Sequence, residues 1–217
     1  MPKIVPVVEG DGEERALPLL LRRLLQEHLN EYGFTIAKPK NARGCGRLTA
    51  ENGIERYVLH ALKEPDCVGV FVLLDNDAAR GLYKRGDLED DCAPCFAHYL
   101  AERVQAIRPS CPVVVVVARW EYEAWLLASL ETVGPVVGLP ENLAYAGDVE
   151  AIQAAKGQIE TYMPPGQKYL ETRDQVRMTA NLDFARVRAR SRSFRRLENA
   201  LGQIIDAYLK DAVIVTP

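Results

Sequence analysis

The chain has 217 residues, 27 Lys and Arg against 30 Asp and Glu, a net charge of −3, and 48% apolar residues. Such a chain is long and apolar enough to bury its own core, which excludes a disordered chain or one that needs staples. The mild acidity excludes a protein that coats nucleic acid through a wholly basic surface.

The predicted elements alternate. Residues 3–8 (KIVPVV) are short, apolar and β-branched, a strand that ends at Glu9-Gly10-Asp11-Gly12. From Glu13 to about Tyr32 the leucines at 17, 20, 21, 24 and 25 recur at helical spacing, and Gly33 stops the helix. Pro18 fits such a helix only near its start. Phe34–Ala37 reads as a short strand, 38–47 as a basic loop, and 49–63 as a helix. Val68–Leu74 is a continuous apolar run, as in a central parallel strand buried on both faces, and it ends in Asp75-Asn76-Asp77. A helix over 92–108 and a second buried strand, Val113–Val117, follow. Arg119-Trp120-Glu121-Tyr122-Glu123 then leads into a helix to about Leu130. This alternation predicts an α/β fold with a mainly parallel sheet flanked by helices. After Gly134, Gly and Pro break the chain into short pieces, and 172–209 is helical and Arg-rich. The reading is a core over 1–133 and a helical extension over 134–217 packed on it, adding at most a strand near Val213–Val215.

The start Met1-Pro2-Lys3 lacks the pattern of a signal peptide, and no apolar run approaches the roughly 20 residues that span a bilayer. A soluble, cytoplasmic protein with no membrane contact is expected. The five cysteines (45, 67, 92, 95, 111) are then expected as reduced thiols. Cys92-x-x-Cys95 has no second pair at zinc spacing, so free thiols at a helix start are expected there.

Three strand ends carry acids: Glu9, then Asp75 and Asp77, then Glu121 and Glu123. Glu13 stands one turn beyond Glu9. In an open parallel sheet, ligands bind beyond the carboxyl ends of the strands. Carboxylates gathered there repel unless a cation neutralises them, and hard oxygen ligands suit Mg²⁺ or Mn²⁺. Taken singly, Glu13 could merely favour a helix N-terminus, and the Asp-Asn-Asp could be a turn.

Rival motifs fall away. Gly10-Asp11-Gly12 lacks the third glycine of a dinucleotide fingerprint, and its acids would repel a diphosphate. There is no GxxxxGK[ST], so the chain is not itself a P-loop ATPase. Asp75-Asn76-Asp77 follows the wrong strand for a haloacid-dehalogenase phosphatase. The chain is longer than a response-regulator receiver. His28, His60 and His98 all lie in helical stretches and suggest no histidine-centred mechanism.

The segments Val8-Glu9-Gly10-x-x-Glu13 and Leu74-Asp75-x-Asp77 resemble the TOPRIM domain of topoisomerases, primases and OLD-type nucleases. Further pieces resemble small stand-alone bacterial TOPRIM-like proteins encoded beside AAA/ABC-type ATPases in phage-defence-like loci. These are Leu17-Pro18, Glu121-x-Glu123-Ala124-Trp125-Leu126, Lys156-Gly157, Tyr169-x-x-Thr172-x-Asp174-Gln175 and Arg192-Ser193-Phe194-x-x-Leu197. The resemblance implies a TOPRIM-like fold with Glu9 as general acid/base or metal ligand and Asp75 and Asp77 as metal ligands. It implies Glu13, and Glu123 beside it, as ligands of a second ion, and Lys156 as the cation facing the phosphate, with Lys168 as the fallback. Two Mg²⁺ or Mn²⁺ ions and phosphodiester hydrolysis follow from the resemblance, as does an ATPase partner. No tyrosine stands out as a topoisomerase nucleophile.

Residues 183–217 hold 7 basic and 4 acidic residues, against 20 and 26 before them. Arg186, Arg188, Arg190, Arg192, Arg195 and Arg196 are too close in sequence to form one helical stripe, but a break near Ser191-Arg192-Ser193 would let several face one way. Arg188, Arg192 and Arg195, with Arg43 and Arg47 in the 38–47 loop, are the candidates for DNA phosphate contact. The alternative is a salt-bridged helix face or an ATPase-docking surface. Trp120 and Trp125 are expected to pack a helix on the sheet. The sequence favours a DNA nuclease; the alternatives are a non-catalytic docking module of an ATPase complex and a phosphatase of small substrates. It allows a homo-oligomer.

Overall fold

The structure is a computed structural model that describes residues 1–44, 46–89 and 91–217. Cys45, in the basic loop, lies outside the described residues. The elements run β1 (Lys3–Val8), α1 (Asp11–Arg23), β2 (Thr35–Ile36), β3 (Lys40–Asn41), α2 (Gly46–Thr49), α3 (Gly53–Ala61), β4 (Cys67–Asp75), α4 (Arg80–Arg85), α5 (Ala93–Ala106) and β5 (Val113–Ala118). The second half follows with α6 (Glu123–Ala128), α7 (Leu130–Val133), α8 (Ala155–Tyr162), α9 (Val176–Thr179), α10 (Phe184–Arg190), α11 (Arg192–Leu209) and β6 (Val215–Thr216).

The fold is of the α/β class expected: one sheet, parallel throughout, ordered β2-β1-β4-β5-β6, with β3 also on β1. Period-two alternation sorts its side chains onto two faces. Ile4, Val8, Phe71, Leu73, Val114 and Val116 face one apolar cluster, under α1, α6 and α11. Val5, Val7, Val70, Val72, Val113 and Val115 face the other, under α3 and α5. Burial on both faces is why the central strands read as unbroken apolar runs. From β1 the chain runs to β2 on one side, then crosses to β4 on the other. The switch in strand order therefore falls between β1 and β4, where a crevice opens beyond the strand ends.

Several elements differ from expectation. Helix α1 begins at Asp11, so Pro18 lies well inside it rather than near its start. Packing of Ala16, Leu17, Leu20 and Leu21 against the sheet outweighs the lost hydrogen bond. The 38–47 loop opens with β3, which pairs Val7 and Val8 just beyond the stretch that β2 pairs. Pro39, without an N–H, separates the two short strands. Cys92 and Cys95 are bonded in a disulfide rather than free, their Cα atoms 5.2 Å apart across the first turn of α5. Cys67 and Cys111 are free.

The extension reaches the sheet at two places. Helix α11 carries Phe194, Leu197, Leu201, Ile204 and Ile205 on one stripe at helical spacing, all buried. It crosses β4 so closely that a Cβ at Gly69 would sit 2.4 Å from Ile204 Cγ2. Strand β6 then pairs β5 at Val113 and Val114.

Candidate metal centre

Glu9 follows β1 directly and is buried. Its Oε2 lies 3.5 Å from the Asp75 N–H, a long contact, and its Oε1 is buried with no hydrogen-bond partner. Glu13 curls back over the start of α1: its Oε2 accepts from the Gly10 N–H at 3.0 Å and its Oε1 from Gln175 Nε2 at 3.3 Å. Asp75 ends β4, and its Oδ1 accepts from the Tyr122 N–H at 3.0 Å. Trp120 makes that contact reachable, since its left-handed φ of 64° turns the chain sharply after β5. Asn76 points inward, fully buried, and its Oδ1 accepts from Tyr83 Oη at 2.7 Å. The turn thereby leaves the two flanking aspartates partly buried beside the end of β4. Asp77 Oδ2 lies 4.0 Å from Arg80.

Glu123 opens α6 and is 3% exposed, and its Oε1 accepts from Tyr169 Oη at 2.9 Å. Glu121 Oε2 accepts from the backbone N–H of Lys156 at 2.8 Å, and Lys156 Nζ pairs with Glu171. The structure thus gathers Glu9, Glu13, Asp75, Asp77 and Glu123, and places Lys156 beside them through Glu121 and Glu171. Lys168 is exposed, and Arg173 Nη2 reaches its carbonyl at 3.5 Å.

The electrostatics of this edge run one way. Burial first, then the charges of Glu13 and Asp77, holds the Glu9 carboxyl well above its usual range. Asp75 is raised by burial and by Glu13, Glu9, Glu123 and Asp77 together. Burial raises Asp77, and it raises Glu13 with help from Glu171. Glu123 is pushed up to about 8 by burial and Glu13. Glu121 is raised by burial and Asp77. These acids act on one another's charge across the edge with too little positive charge between them.

The donor set fits a hard divalent cation: carboxylate oxygens, one of them buried and unpaired, around a crevice at the switch point. The spacing is open. Among the described residues, the one trio of carboxylate, thiol or imidazole ligands within 4.8 Å of one another is Glu89, Cys92 and Cys95, away from this edge in the sequence.

The family model described as "Domain of unknown function (DUF4276)" matches residues 8–202, most of the chain and all of these acids. The chain belongs to that family. No curated protein matches this DUF4276 member. Among solved structures, it is similar to the C-terminal region of the Burkholderia pseudomallei OLD protein, at 16% identity and a TM-score of 0.40, over 96% of this chain and 99% of that one. It is also similar to the C-terminal region of the Xanthomonas campestris pv. campestris OLD protein, at 15% identity and a TM-score of 0.37, over 96% and 97%.

The predicted basic contacts divide. The Gly44 N–H donates to the Glu9 carbonyl at 2.9 Å, which lays the DUF4276 loop bearing Arg43 over the acid edge. Asn41 Nδ2 anchors that loop to Asp11 and Glu14, each at 2.8 Å. Arg43 is exposed, and Arg47 Nη1 reaches the Ala42 carbonyl at 3.3 Å. The helix break falls at Ser191, between α10 and α11, as expected. Yet Arg188 is held by both oxygens of Glu198, at 2.8 and 2.6 Å, and Arg195 Nη1 by the Arg188 carbonyl at 2.5 Å. Arg190 bonds the carbonyls of Tyr145 and Gly147, and Arg196 that of Pro217. Arg192 is exposed and, among the described residues, has no hydrogen-bond or ion-pair partner.

Sequence reading alone did not assign a role to Tyr169, Glu171 or Gln175. Gly12 shows why they reach the site: a Cβ there would lie 2.3 Å from Gln175 Oε1 and 3.1 Å from Glu171 Cβ. The absent side chain lets the 171–175 turn close on α1. The signal was the glycine beside Glu13, which a failed dinucleotide fingerprint did not explain. Trp120 and Trp125 are buried packing residues, and no described helix is long and apolar enough to cross a membrane.

Proposed function

We propose that this protein is a divalent-cation-dependent phosphodiesterase that cuts DNA, the nuclease effector of an ATPase-containing, phage-defence-like system. The observation that supports it most is the convergence of Glu9, Glu13, Asp75, Asp77 and Glu123 at the ends of three adjacent parallel strands, each carboxyl raised toward its protonated form. A pure docking surface gains nothing from buried carboxylates that repel each other.

Glu9, Asp75 and Asp77 would hold one Mg²⁺ or Mn²⁺, and Glu13 and Glu123 a second. Such ions, when bound, polarise a phosphodiester and make water a nucleophile near neutral pH. The unpaired Oε1 of Glu9 would be the oxygen it offers to the first ion. The Tyr122 N–H and the Gln175 amide fix the Asp75 and Glu13 carboxylates, so little reorganisation is left for the reaction. Lys156, drawn to the edge by Glu171, faces the charge that grows on the phosphate. Arg43 and Arg192 supply sequence-independent phosphate contacts.

The test is cleavage of supercoiled and linear DNA with Mg²⁺ or Mn²⁺, with and without a co-expressed ATPase. Asp75→Asn and Glu9→Gln are expected to lose at least about 100-fold in rate. Variants as active as the wild type would sink the assignment.

A further inference from the structure

We propose a second chemical site: Cys92 and Cys95 form a redox-exchanging dithiol whose partner is an anionic thiol of low molecular weight. The two cysteines are not among the acids of the proposed metal centre, although the cavity beside them shares Arg192 with the proposed DNA contacts.

Helix α5 has fourteen residues, and Cys92 is its N-cap, with the Cys95 N–H donating to Cys92 Sγ at 3.2 Å. That donor and the positive helix end stabilise a thiolate at Cys92 once the bond is reduced. Pro94 stands within the first turn, where its missing N–H costs nothing, and it stiffens the short ring between the sulfurs. Cys95 Sγ lies 3.8 Å from Glu89 Oε2, so a proton acceptor stands beside the second sulfur. Both cysteines are partly exposed, and Glu89 is exposed. The remaining described pair provides a contrast: Cys67 and Cys111 lie 3.9 Å apart at the opposite ends of the strands and are not bonded.

The class of partner follows from the neighbouring cavity. Ala93 and Pro94, the residues between the two cysteines, line a cavity of about 440 Å³ together with His98, Arg119 and Arg192. The Arg119 guanidinium stacks on the Trp120 ring at 4.1 Å and its Nη1 has no hydrogen-bond partner, and Arg192 is unpaired among the described residues. Glu150, the one acid in the lining, already accepts from Ser191 and from both the N–H and the hydroxyl of Ser193. Arg119, Arg192 and Arg196 outnumber the one carboxylate side chain of the lining, and that excess of positive charge suits the carboxylates of a small thiol.

The exchange balances. A thiolate of the partner attacks Cys92 Sγ, forming a mixed disulfide as the Cys92–Cys95 bond breaks toward Cys95. The Cys95 thiolate takes a proton, passed by Glu89 from solvent. A second partner thiol, deprotonated, attacks the partner sulfur and expels Cys92 as a thiolate. The protein gains two electrons and two partner thiols become one disulfide.

The full chain would be titrated with glutathione and glutathione disulfide, with thiols alkylated and located by peptide mapping. Reversible appearance of thiols at 92 and 95 in the folded protein is expected. Cys95→Ser, checked for folding by circular dichroism, should trap glutathione on Cys92 at least about tenfold faster than Cys92→Ser traps it on Cys95. Glutathione disulfide should outpace the cationic cystamine, and Arg192→Gln should erase that preference. The idea is overturned if the pair opens only on unfolding, or if the two variants react alike. Cystamine reacting as fast as glutathione disulfide would overturn the choice of partner. Stoichiometric Zn²⁺ uptake by the reduced protein, with loss of reoxidation, would make the Glu89, Cys92, Cys95 trio a metal site instead.

Discussion

Glu123 illustrates what a single residue carries here. Its carboxyl ionises near 4.5 when free but is pushed up to about 8 in the folded chain by burial and by Glu13. Between those values the folded state holds a proton that the unfolded chain has released. Stability of the cation-free protein therefore falls as pH climbs from about 4.5 to about 8, and is level above that. Urea unfolding in the presence of a chelator should show a lower midpoint at pH 8.5 than at pH 5.5. Glu123→Gln, neutral throughout, should flatten that slope, and an unchanged slope would show that Glu123 does not titrate as argued. The Tyr169 hydroxyl opposes the shift by donating to the ionised carboxylate.

At the scale of the element, α10 and α11 show how an Arg-rich run can be mostly structural. Six arginines within eleven residues looked like a phosphate-binding face, and the break at Ser191 is present. Spacing could not reveal that Glu198, one turn beyond Arg195 and 5% exposed, reaches back to Arg188. Buried carboxylates take the nearest guanidinium because leaving one unpaired is costly. Arg188→Ala should lower stability by about 1–3 kcal/mol, since it strips two charge-assisted hydrogen bonds from Glu198. Arg192→Ala should leave the unfolding midpoint within about 0.5 kcal/mol and weaken DNA retention in a filter-binding assay. Equal stability losses in the two variants would contradict this division.

For the whole molecule, a cation held by the clustered acids, as proposed, would make folding and binding one linked equilibrium. A cation that binds the folded chain alone at 100 times its Kd adds about 2.7 kcal/mol, which for a chain of this length is roughly 5–10 °C in Tm. Mg²⁺ or Mn²⁺ should raise the melting temperature of the wild type by that order, and Asp75→Asn should lose most of the rise. An equal rise in the variant would place the cation elsewhere. The link would span the chain, because the acids after β1, on α1, at the end of β4 and on α6 meet supports from 156, 169, 171 and 175.

The sequence by itself determined the parallel α/β class and the acids at the strand ends, because burial on both faces and period-two patterning are written locally in β1, β4 and β5. It also located the break at Ser191. Only the tertiary structure decided which groups support those acids, since Gln175 and Glu13 stand 162 residues apart and meet only where Gly12 lacks a side chain. It likewise decided that Pro18 could sit inside α1, where packing outweighs propensity, and that most of the arginines are spent on carbonyls and on Glu198. Such pairings depend on distance across the fold rather than along the chain, and no local pattern encodes them.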